Sequence, residues 1–109
     1  MKPLDRPKTA ADFAAAVNMD ADELEAWLET AESKRVGFKR EDGDESVGHA
    51  SGRRIVRLLR HGPSKESDFA HMRKVVGFVR RHRAQEPANM VTSRWRYSLM
   101  NWGHDPLRG

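Results

Sequence analysis

Arg53, Arg57 and Arg60 recur at i, i+4 and i+7, Arg73 and Arg80 at i+7, and Lys74 and Arg81 at i+7. Arg94 and Arg96 flank Trp95. On helices these spacings set cationic groups in rows along one face, where a guanidinium fork can take two phosphate oxygens at once. Three rows on adjacent helices predict a surface for a phosphate backbone, bound largely without regard to base sequence. The expected contacts are Arg53, Arg57, Arg60, Arg73, Lys74, Arg80 and Arg81. A single row has a simpler reading, as ion pairs with the chain's own acids at Asp22–Glu32 and Glu41–Glu45.

Charge is divided along the chain. Residues 1–45 hold 7 Lys/Arg and 12 Asp/Glu, a balance of −5; residues 46–109 hold 13 and 4, a balance of +9. The basic half is an electrostatic footprint for a polyanion, and the acidic half is an alternative place for those charges to go.

Other chemistries fit poorly. With no cysteine among 109 residues, disulfides and thiolate zinc sites are excluded. Gly48-His49-Ala50-Ser51-Gly52 places its serine one position late for a nucleophile elbow, and it lacks the ending of a Walker loop. Glu41–Glu45 lacks the alternating oxygen donors and distal glutamate of a calcium loop. No two of the five histidines are spaced H-x-x-x-H; His71 and His82, eleven residues apart on one helix, would lie about 16 Å from each other. His104-Asp105 reads as an acid–base pair or, better, as part of a helix C-terminal cap. No cofactor, metal or catalytic residue is expected, and the chain reads as non-enzymatic.

The elements that must carry these residues are helical. Residues 1–8, with Pro3 and Pro7, read as a loose arm, followed by one domain over 9–109, acidic in 9–45 and basic in 46–109. Thr9 is expected to cap a first helix to about Val17. Asp20 with Glu23 predicts a capping box and a second helix to about Glu32, with Leu24, Trp27 and Leu28 inward. Val36 and Phe38 alternate with polar residues and permit a short extended piece. A third helix ends at Gly62-Pro63. If Ser46 caps it, the favoured arrangement, Gly48 and Gly52 admit a close neighbour; if Ser51 does, the glycines form a loop able to cradle an anion. Asp68 opens a fourth helix to about Gln85, with Phe69, Met72, Val76 and Val79 as its apolar stripe. Thr92 or Ser93 caps a fifth, where Trp95, Leu99 and Trp102 share a face and Gly103 and Pro106 end it. The fold class is all-α, about five helices in a compact single domain, with the last helix as keystone.

Three stretches, Ser46–Arg53, Ala70–Val76 and Trp95–Pro106, resemble the bacterial domain-of-unknown-function family thirty-one-forty, over about Phe13 to Leu107. Such small proteins are often labelled DNA-binding, so the resemblance implies DNA binding, and it hands over no site residues. The resulting expectation is a cytoplasmic protein that binds double-stranded DNA and no membrane, either monomeric or as a homo-oligomer. RNA is the variant partner, with Tyr97 as a stacking residue if exposed. The competing class is a protein–protein adaptor or homodimer whose acidic and basic halves meet, within one chain or between chains.

Overall fold

The computed structural model describes residues 5–41 and 43–108. Among them are six helices and no strand: α1 (Arg6–Ala16), α2 (Ala21–Leu28), α3 (Ala31–Arg35), α4 (Val47–His61), α5 (Glu66–Arg83) and α6 (Arg94–Asn101). The fold is all-α, with one core shared by all the long helices. None of the helices is long and apolar enough to cross a membrane.

Each start is fixed by local chemistry. Asp5 accepts from the Lys8 N–H and Pro7 sits in the first turn, so α1 begins earlier than Thr9. The arm expected over 1–8 is thereby corrected for Asp5 to Lys8, which form the cap and first turn of α1; residues 1–4 lie outside the described ones. Asp20 and Glu23 form the reciprocal box at α2, whose N–H groups they satisfy. Thr30 breaks the expected second helix in two, because its hydroxyl accepts from the Ser33 N–H and caps α3 instead. Val36–Lys39 is a coil in which the Phe38 carbonyl accepts from Val47 N–H. Ser46 caps α4, Gly62 stops it with φ of +76°, and Ser93 caps α6. Asp68 lies inside α5, which opens two residues before it; its carboxylate accepts from the Ser64 and Lys65 N–H groups.

Helix α1 packs on α5 and α2 on α4, while α6 touches α2, α3, α4 and α5. Leu24, Ile55, Val75 and Leu99 are fully buried between them. Burial of each such side chain contributes about 1.5–3 kcal/mol. Leu99 and Trp102 are buried as the keystone reading requires; Trp95 is only half-buried, its indole N–H donating to the His82 carbonyl. The two glycines of α4 serve close packing. A Cβ on Gly52 would lie 2.5 Å from the Asn101 carbonyl oxygen and 2.7 Å from Leu28, and one on Gly48 would lie 2.9 Å from the Trp102 indole nitrogen. The joint between α1 and α2 is closed from the far end of the chain. The Gly103 carbonyl accepts from the Asn18 and Met19 N–H groups, and the Asn18 side chain bonds both the N–H and the carbonyl of Asp105.

Candidate nucleic-acid interface

The predicted contacts separate into two groups. On α4, Arg53 forks onto the Glu45 carboxylate (2.7 Å from Nε), and Arg60 reaches Glu25 at 2.7 Å and Asp22 at 2.8 Å. The Arg53 hydrogen bonds hold the Glu45 carboxyl at about 2, well below the usual carboxylate range. Arg60 similarly lowers Glu25. Arg57, between them, is exposed and without a carboxylate partner among the described residues, yet it lines a groove that also holds Glu25 and Glu29. Two arginines of the first row are therefore paired with the chain's own acids, Arg53 with Glu45 just before α4 and Arg60 with Asp22 and Glu25 of α2.

Helix α5 differs. Arg80 is 3.8 Å from Asp12 of α1, a carboxylate already held low by its bond to Lys8. Arg73, Lys74 and Arg81 are exposed, and among the described residues none meets a carboxylate. Arg73 with Arg80 and Lys74 with Arg81 make two adjacent ridges about 100° apart around the helix. The rows of α4 and α5 thus differ in their partners: Arg53 and Arg60 meet carboxylates at 2.8 Å or less, whereas on α5 only Arg80 comes within 4 Å of one among the described residues. Of the pair flanking Trp95, Arg94 is exposed, whereas Arg96 is tied to Asp105 and to the Val91 carbonyl.

Beside the Lys74–Arg81 ridge the aromatic side chains form a column that spacing along the sequence does not reveal. His71 lies over Trp102 (centroids 6.2 Å, planes 15° apart), Trp102 over Phe78 (4.3 Å, 13°) and Phe78 over His82 (3.8 Å, 18°). Each histidine thus has its place in packing. Tyr97, by contrast, is half-buried and leans on Trp27 with centroids 5.4 Å apart, so it is no open stacking platform.

A model described as "Protein of unknown function (DUF3140)" matches residues 12–100. The chain belongs to the DUF3140 family. No curated protein and no solved structure matches this DUF3140 chain, whose chemistry rests on its own geometry.

That geometry includes one pair with the form of a nucleophile and its base: Ser51 Oγ and His71 Nε2 are 2.9 Å apart. Burial, then the nearby Arg54 and Lys74 charges, push the His71 imidazole down to about 4. So weak a base gives little drive for removing a hydroxyl proton near neutrality. Ser51 is buried, and no carboxylate among the described residues orients the other ring nitrogen. His104 and Asp105 are likewise engaged elsewhere: His104 Nδ1 donates to the Ala16 carbonyl, and Asp105 accepts from Arg96. Among the described residues no three His, Asp or Glu side chains come together as a metal site.

Proposed function

We propose that the protein is a non-enzymatic, cytoplasmic DNA-binding protein that holds the phosphate backbone through the outer face of α5. The observation that supports this most is the contrast between two cationic helices: α4 has Arg53 and Arg60 clasped by carboxylates, while α5 keeps Arg73, Lys74 and Arg81 exposed and unpaired among the described residues. An exposed cation without a partner costs nothing to release from the protein, and it gains when it displaces counterions from a polyanion. The footprint is smaller than the seven contacts read from the sequence, because Arg53 and Arg60 would first have to leave their own acids.

With three or four phosphates neutralised, log K for a duplex falls against log salt with a slope of about −3 to −4. The test is a titration of a labelled random duplex over a range of salt. Binding that ignores salt, or an absence of binding at low salt, removes the proposal.

The α4 pairs favour a second reading. Arg60 bridging α4 to Asp22 and Glu25, and Arg108 binding Glu23, show how readily the two halves of this chain attract each other. The same complementarity between two chains would make an adaptor or homodimer. A concentration-dependent mass in light scattering, lost at high salt, is its signature.

A further inference from the structure

A cavity of ≈ 400 Å³ opens between the Gly37-Phe38 coil, the start of α4, α5 and α6. Its apolar walls are Phe38, Val47, Phe78 and Trp102, and its charged members are Lys74 and Arg81. Among the described residues no acidic one lines it. The other clefts contain acids: Asp44 and Glu45 in the one that shares Val47, Lys74 and Trp102 with this cavity, Glu25 and Glu29 in another, Asp68 in a third. The faces of Phe78 and Trp102 are covered within the aromatic column, so the open aromatic face is that of Phe38; one such face beside two cations suits a planar group bearing an anion, and the volume is that of a small-ligand site.

Two further features point to an occupant. Trp27 donates its indole N–H to Asn101 and Trp95 donates to His82, but the Trp102 N–H donates to no described group. Trp102 is only 5% exposed and lines both this cavity and the adjoining cleft; among the described residues no fully buried side-chain nitrogen or oxygen lacks a partner, so this N–H reaches open space where the two meet. It is a donor held in place by the stacking of its ring on Phe78 and His71. Phe38, also lining the cavity, is 71% exposed, an aromatic face with little covering it.

We infer that this cavity takes one unpaired nucleobase of a nucleic-acid strand, with the adjoining phosphate on Lys74 or Arg81. The inference rests on the phosphate-binding reading of α5 and states which form of nucleic acid that face prefers. Every base offers a π face for Phe38 and edge acceptors for the Trp102 N–H, so recognition would be tolerant of sequence. A base within a closed duplex is stacked and paired, and cannot enter without the cost of extrusion.

The experiment compares three labelled nucleic acids at one fixed salt: a short oligothymidylate, an abasic strand with the same number of phosphates, and a hairpin duplex. The base-bearing strand is expected to bind about tenfold or more tighter than the abasic strand, the contribution of one stacked base. Phe38→Ala should bring that ratio close to one while leaving the melting temperature unchanged, since the side chain is exposed. Equal affinity for the base-bearing and abasic strands overturns this inference and leaves the phosphate reading standing. Failure of all three ligands overturns both. Tight binding of adenosine monophosphate or 1-naphthoate without binding of any strand would also overturn it, in favour of a small-molecule site.

Discussion

Asn101 and Ser33, both fully buried and 68 positions apart, clasp each other in both directions. The Ser33 hydroxyl donates to Asn101 Oδ1 at 2.5 Å, and Asn101 Nδ2 donates to the Ser33 carbonyl at 3.0 Å. The same Oδ1 accepts the Trp27 indole N–H at 2.8 Å. One amide thereby joins α2, α3 and α6, and among the described residues no buried side-chain polar atom is left unpaired. Asn101→Leu keeps the volume but strands a hydroxyl, an indole N–H and a carbonyl. It should lower stability by about 2–4 kcal/mol, seen as a shifted urea midpoint at unchanged m-value.

The glycines should respond in opposite directions. Gly52→Ala drives a Cβ into the Asn101 backbone and Leu28, and overpacking of this sort costs about 1–3 kcal/mol or more. Gly77 sits mid-α5, where an added Cβ would meet only the tip of Arg81 at 3.1 Å. That tip can move, so Gly77→Ala should stabilise by about 0.5–1 kcal/mol through helix propensity. Thermal melts of the two variants check both signs.

His71 gives a pH dependence of known sign. Its folded-state value of about 4 lies below the ordinary 6.5, so between those pH values the unfolded chain binds the extra proton. Stability should therefore fall as pH drops from about 6.5 towards 4. The depressed carboxylates Glu45 and Asp68, each near 2, add their loss only below about 4.5. Urea midpoints between pH 7 and 4 should lose much of this slope in His71→Gln, while the fall below 4.5 persists.

The cationic helices can be separated by mutation. Arg73→Ala, Lys74→Ala and Arg81→Ala should each reduce the salt slope of DNA binding by about one and weaken all sequences alike. Arg53→Ala should leave the slope unchanged. Instead it frees Glu45, whose titration then moves towards the ordinary range in an NMR pH series. A slope that responds to Arg53 as much as to Lys74 would contradict the division between α4 and α5.

The sequence carried the fold further than the site. Asp20 with Glu23, Ser46, Gly62, Ser93 and Gly103 act within four residues of themselves, so their capping and stopping roles can be read locally. Asp5 with Pro7 was equally local evidence for an earlier α1. Thr30 could be recognised as a cap only by giving a lone Ser/Thr priority over a continuing acidic pattern. The arginine rows were visible as spacing, but their partners were not: Arg60 meets Asp22 and Glu25 across 38 and 35 residues. Periodicity says which face a guanidinium occupies and nothing of what lies opposite. The aromatic column and the Asn101 clasp are likewise long-range, and single residues of those types carry no periodic signal.

Closure of the α1–α2 joint by Gly103 and Asp105 sets an order on synthesis. The Asn18 and Met19 N–H groups find their acceptor, and Asn101 reaches Ser33, only when residues 101–105 have emerged. Until then α1 and α2 have no lid, and a nascent chain shows the ribosome surface and its chaperones an open apolar face. Contacts this far apart in sequence form late, after the loop between them has closed. A stop codon placed just before α6 would yield a collapsed and protease-sensitive chain rather than a smaller working domain.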